Sequence, residues 1–129
     1  YFVHQFEPTF KEASLLDDPE LLEAVTSTNQ QVQELAPVLN SPTIPGVVKV
    51  ASANPKAVIA AMCKRHAGAV YLFVVNLGPL DTTATFQVAE TENIRQNDVL
   101  YENRAIQIRD RQFEDSLEGY GVHGYKLTP

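Results

Sequence analysis

The densest run of titratable side chains is "RDRQFEDSLEGY", which brings Asp110, Glu114, Asp115 and Glu118 into one short stretch. Two carboxylates facing each other across a cleft could supply the acid and base of glycoside hydrolysis, and a set of hard oxygens could hold Ca²⁺. The spacing fits neither. A surface loop does not set two carboxyls across a cleft, the EF-hand pattern is absent, and Arg109 and Arg111 interrupt the cluster. A solvated turn with local ion pairs is expected there. His4, His66 and His123 are far apart, and Cys63 is the single cysteine, so no disulfide and no Cys/His metal spacing can form within the chain. Cys63 sits in "AVIAAMCKRH" and is expected to be a buried thiol. Nucleophile elbows and phosphate loops are also missing. The sequence therefore assigns no catalytic residue, no metal ligand and no cofactor. Tyr101, Tyr120 and Tyr125 could stack on sugar rings, but Trp is absent, and packing is their expected role.

Whatever chemistry exists must be positioned by 129 residues, enough for one ordinary domain with a real core. Hydrophobic residues make up 44% and charged residues 20%, a globular balance rather than a disordered one. The net charge of -6, with scattered basic residues, argues against nucleic acid and against anionic membrane surfaces as partners. The longest apolar run, Ala67 to Val75, is too short to span a bilayer and reads as a strand.

The first residues, "YFVHQFEP", read as an apolar strand, Tyr1 to Phe6, closed by Pro8, which cannot donate to a ladder. A lone strand followed by a loop and a helix cannot bury itself, so it needs a neighbour. Opening on such a strand without Met is expected of a chain cut from something longer. No signal peptide pattern is present, and a chain lacking its true N-terminus would not show one, so secreted and cytoplasmic locations both stay open. The helix follows, with Asp17 or Asp18 as N-cap, Pro19 in its first turn and Glu20 favouring the dipole. Leu21, Val25, Thr28, Val32, Leu35 and Leu39 draw one stripe, opposite Glu23, Ser27, Gln30, Gln31 and Glu34. Pro37 should bend or end the helix near Ala36, and the breaker-rich Asn40 to Gly46 marks a boundary between a segment 1–40 and a domain 41–129.

From Val47 onward the period becomes strand-like. "VVKVAS", "KAVIAAMCKR", "AVYLFVVNL", "TTATFQVA", "DVLYE", "AIQIRD" and "YGVHGYKL" give seven short strands separated by turn residues. The second and third should form a central hairpin across "HAGA". In the third, Tyr71, Phe73 and Val75 alternate with Val70, Leu72 and Val74, apolar on both faces, which predicts that a second partner covers the outer one. The fold class is mainly β, an antiparallel β-sandwich preceded by a βα segment.

Two stretches, "NQQVQELAPVLNSP" and "FEDSLEGYGVHGY", together with the opening strand and helix, resemble the C-terminal end of multidomain glycoside hydrolases built on a (β/α)8 barrel. The resemblance covers essentially the whole chain. It implies that the βα segment is the last unit of the barrel and that residues 41–129 form an appended, non-catalytic β-sandwich stabilising it. The catalytic carboxylates would lie upstream, so this chain alone is expected to be inactive. Barrel active sites are built at the C-terminal ends of strands, which leaves His4, Gln5 and Glu7 as the substrate-facing candidates. The partner so implied is an upstream barrel domain or a companion chain, with carbohydrate as the ligand class. The alternative is a self-contained carbohydrate-binding or adhesive β-sandwich module.

Overall fold

The computed structural model describes residues 4–89 and 93–129, which fall into two compact units, Tyr1–Pro37 and Val38–Pro129. In the first unit, half of the expected opening strand, residues 1–3, lies outside the described residues. The described remainder, His4 to Phe6, is not a strand. Only Gln5 pairs, exchanging backbone bonds with Lys11 of the same loop, 3.1 and 2.8 Å.

A 3-10 turn, Ser14–Asp17, leads into helix α1, Pro19–Leu39. Asp18 is the N-cap: its Oδ1 accepts the Leu21 N–H at 2.9 Å, satisfying a donor that the helix leaves orphaned. Pro37 neither ends nor shortens the helix as its type predicts, because it lies in the last turn, where it removes one donor and no further turn depends on it. Ser41 closes the end instead, with its N–H and hydroxyl both donating to the Val38 carbonyl at 3.0 and 2.7 Å.

The second unit is an antiparallel sandwich of two sheets. Eight strands are present among the described residues: β1 Val48–Ser52, β2 Ile59–His66, β3 Ala69–Asn76, β4 Thr82–Val88, β5 Gln96–Val99, β6 Arg104–Ala105, β7 Gln112–Leu117 and β8 Val122–Thr128. One sheet has the order β1-β4-β7 and the other β2-β3-β8-β5-β6. The β2–β3 hairpin turns through Ala67 and Gly68, at φ 48° and 79°, the paired left-handed residues of a tight two-residue turn. It lies at the edge of its sheet rather than at the centre, since β2 pairs with β3 alone. The edge is partly covered by the chain after α1: Thr43 bridges Lys64, the Ile44 N–H donates to the Cys63 carbonyl at 3.0 Å, and Lys64 Nζ donates to the Ser41 carbonyl at 2.9 Å. Cys63 is buried, as its apolar setting suggests.

Strand alternation fills the space between the sheets. Val70, Leu72 and Val74 of β3, Ala84, Phe86 and Val88 of β4, Phe113 and Leu117 of β7, and Tyr125 and Leu127 of β8 are all buried in one cluster. At its centre Phe86 stacks on Phe113, with centroids 4.6 Å apart, and both rings meet Tyr125 at 5.4 Å.

The largest departure from expectation is the acidic stretch. Its turn is confined to Asp110 and Arg111, at φ 49° and 62°, and Gln112–Leu117 is a strand pairing with β4. Beyond it, the turn from Glu118 to Gly121 is wedged against the loop after β3. A Cβ on Gly119 would fall 2.3 Å from the Pro79 carbonyl oxygen, so only glycine fits. Asn76, fully buried, ties the same two loops by donating to the carbonyls of Leu80 and Glu118 at 2.7 and 3.0 Å.

Candidate functional site

In β7, Phe113, Asp115 and Leu117 share the face turned toward the other sheet, because side chains alternate with period two. Asp115 is thus a carboxylate aimed into the sandwich, its side chain 9% exposed. Arg104 of β6 answers it with a two-pronged bond, Nη1 to Oδ1 at 3.0 Å and Nη2 to Oδ2 at 2.7 Å. The Tyr125 hydroxyl of β8 donates to Oδ2 at 3.0 Å. On its other edge Arg104 Nε donates to Glu102 Oε2 at 2.7 Å, and the second oxygen of Glu102 contacts His123 Nδ1. Five polar side chains from both sheets and the β5–β6 turn therefore form one chain of bonds. It runs from the solvent-facing rim to the aromatic core.

Each ionisation follows from that wiring. Burial pushes the Asp115 carboxyl upward, but hydrogen bonds from Arg104 and Tyr125 and the guanidinium charge outweigh it and hold the group below the usual carboxylate value. Glu102 is lowered in the same way, burial being offset by bonds and charge from Arg104 and His123. Bonding to Asp115 holds the Arg104 guanidinium firmly protonated against its own burial. Burial, followed by the Asp115 charge, keeps the Tyr125 phenol neutral well beyond its ordinary range. Neither carboxyl is kept protonated near neutrality, which the acid of a glycosidase pair requires. The network's chemistry is that of an inter-sheet clamp.

A pH dependence follows. Because both carboxyls are depressed in the folded protein, the stability they contribute is present above the ordinary carboxylate range and lost as pH falls through the lower folded values. Urea midpoints should hold steady from about pH 7 to 5 and fall below about pH 4. In Arg104→Met the carboxyl shifts that produce this fall should shrink, and an acid limb of unchanged steepness in that variant would contradict the assignment.

The clamp borders a half-open depression of about 420 Å³ lined by Arg104, Asp115, Ser116, Glu118, Gly121, Val122 and His123. Of the residues expected in the acidic cluster, the structure brings Asp115 and Glu118 to this place, while Asp110 and Glu114 line a separate hollow beside Gln112. Glu114 there accepts a bond from the Thr85 hydroxyl at 3.1 Å. Arg104, Glu102 and His123 were not marked by the sequence as a group, although the spacing of two between Phe113, Asp115 and Leu117 could have shown an inward carboxylate in need of a cation.

His4, Gln5 and Glu7 belong to the first unit's loop. His4 Nδ1 lies 3.0 Å from the Glu12 carbonyl oxygen, and the Gln5 amide donates to the Glu7 carbonyl at 2.9 Å. The His4 ring sits with Phe6 and Phe10, centroids 6.5 and 5.8 Å away, and Phe6 and Phe10 are largely exposed. No group of three or more His, Cys, Asp or Glu suited to a metal ion occurs among the described residues. No helix among them is long and apolar enough to cross a membrane. The chain matches no protein-family model, no curated protein and no solved structure.

Proposed function

We propose that this chain is a non-catalytic accessory part of a glycoside hydrolase, whose β-sandwich packs on and stabilises a (β/α)8 catalytic barrel. The observation that carries the reading is the outer face of the β2–β3–β8 sheet. A solvent-facing sheet surface ordinarily alternates to polar residues, yet here Ala60 and Met62 of β2, Phe73 and Val75 of β3 and Val122 of β8 adjoin across the ladder. They line a shallow hollow of about 280 Å³ that is almost wholly apolar. A contiguous apolar patch on one face of a sandwich fits a domain interface. The ionised state of the clamp carboxylates supports a structural rather than a catalytic role, and the resemblance of residues 29–42 and 113–125 to the C-terminal end of barrel glycoside hydrolases supports the barrel as partner.

The test has two arms. The reading frame upstream of Tyr1, or a neighbouring gene, should encode alternating strand and helix patterns of a barrel; their absence sinks the proposal. Met62→Glu should then change the stability of the isolated chain by no more than about 0.5 kcal/mol, since the side chain is already partly in water. In the protein with its barrel, the same substitution should release the sandwich, read as faster proteolytic separation and a lower inactivation temperature of the glycosidase. Unchanged behaviour there would overturn the docking face.

A further inference from the structure

We infer that the outer margin of β7 is a docking strip for an extended peptide that carries a basic residue between two apolar ones. The inference does not rest on the barrel reading and uses none of the residues of the apolar sheet face.

Backbone pairing supplies the first reason. β7 ends its sheet, with β4 on one side and no strand on the other among the described residues. The Val88 N–H donates to the Arg111 carbonyl at 2.8 Å, and with Gln87 opposite Gln112 the residues bonded toward β4 are then Arg111, Phe113, Asp115 and Leu117. The backbones of Gln112, Glu114 and Ser116 therefore point outward. Gln112 exchanges both of its bonds with Arg109, at 2.9 and 2.8 Å, and the Ser116 N–H is taken by the Asp115 carboxylate at 3.0 Å. This leaves the Glu114 N–H and the carbonyls of Glu114 and Ser116 without a protein partner among the described residues. One donor and two acceptors in a row are the groups that a short added strand uses.

Space is the second reason. Gln112, Phe113 and Glu114 form one wall of a hollow of about 520 Å³, and Ile106 and Gln107, which follow β6, form another. A strand added to β7 would lie about 4.8 Å from it. Its side chains would alternate, so the two residues flanking the one opposite Glu114 would turn inward toward Phe113 and toward Ile106, which packs partly buried against the core. Those two positions call for apolar side chains.

Charge is the third. The Glu114 carboxylate stands on the solvent face, held by the Thr85 hydroxyl at 3.1 Å, and would meet the residue directly opposite it on the same face. Opposite charges there stabilise the pair and like charges weaken it. Arg109 and Asp110, also in the lining, offset each other. A second copy pairing its own β7 antiparallel about Glu114 would set that carboxylate against its counterpart, between two chains of net charge -6. Lys or Arg at the central position of a different segment fits instead.

Amide spectra of the isotopically labelled full chain, titrated with the capped peptide Thr-Val-Lys-Val-Thr and with its counterpart carrying Glu in place of Lys, test this directly. The Lys peptide should give saturable shifts centred on Gln112 to Ser116 and on Ile106 and Gln107, with hydrogen exchange of the Glu114 amide slowed at saturation. The Glu peptide should bind about fivefold more weakly, because an attractive cross-strand pair becomes a repulsive one. Glu114→Gln removes the charge and keeps the backbone, so it should bring the two peptides to within about twofold of each other. Glu114→Pro deletes the outward N–H without breaking a bond to β4 and should abolish saturation, while unshifted amides of Thr85 and Gln87 verify the sheet. Should proline disturb the strand, the Glu114→Gln comparison decides. No saturable shift with the Lys peptide overturns the inference, as do equal binding of the two peptides by the unaltered chain and undiminished binding by a folded Glu114→Pro. A dimer formed through β7 without peptide would make a second copy the occupant and overturn it as well.

Discussion

Asp115→Ala is expected to lower the unfolding free energy by about 3 kcal/mol, near the lower end of what breaking one partner of a buried ion pair costs. The substitution strands three groups at once: the Arg104 guanidinium loses its two-pronged acceptor, the Tyr125 hydroxyl loses its acceptor, and the Ser116 N–H loses a bond of 3.0 Å. Arg104 is 36% exposed, so water can take over part of the guanidinium, which keeps the loss from the upper end of the range. Tyr125 has no such relief, being fully buried. Urea unfolding at neutral pH gives the measurement, with an unchanged m-value showing that stability alone moved. The double variant Asp115→Leu with Arg104→Met should recover much of the loss, because it removes both charges rather than orphaning one. A cost below about 1 kcal/mol for Asp115→Ala would place the pair among solvated surface bridges instead.

Phe86→Ala should be at least as damaging, at about 3–5 kcal/mol, since it deletes the ring on which both other core aromatics rest. Phe86 is fully buried at the centre of the three-stranded sheet, in register with Phe113 on β7 and Val50 on β1. Truncation leaves a void between β4 and β8, each hydrogen-bonded to a neighbour on both sides, which cannot close it. Against a total stability of about 5–15 kcal/mol, such a loss removes a large fraction of the folded population's margin. Phe86→Leu keeps most of the volume and should cost clearly less. Equal midpoints for the two variants would show that ring contact, rather than volume, dominates.

Elements with a strong local signal were legible in the sequence. The pair Asp17 and Asp18 announced the start of α1, of which Asp18 is the cap, and "HAGA" announced the hairpin, because glycine in a two-residue loop answers a specific backbone need. Pro37 misled, since proline's penalty depends on how many turns follow it and none did. β7 was hidden by composition: in "QFEDSL" the charge density suggests a turn, while Phe113, Asp115 and Leu117 keep the period of a strand. β5 starts two residues before "DVLYE", and its pairing with Leu127 buries Asn97, whose amide has no hydrogen-bond partner among the described residues. Of "AIQIRD" only Ala105 falls in a strand, the two-residue β6 that Arg104 of the expected turn begins. Beyond the inward carboxylate that the period of β7 implies, the clamp's partners could not be read from linear order, because Glu102, Arg104, Asp115, His123 and Tyr125 meet only once the two sheets face each other. His4, Gln5 and Glu7 were chosen by their place in an expected barrel strand, of which residues 1–3 lie outside the described chain.

The attachment of Thr43 and Ile44 to β2 gives the breaker-rich stretch after α1 a protective role. Composition marks it as a spacer, yet it occupies the hydrogen-bonding side of Cys63 and Lys64, where an unpaired strand would otherwise invite another chain to add on. A sandwich excised at Val47 would carry every named strand and still expose that seam to self-association. One beginning at Val38 keeps its own hem.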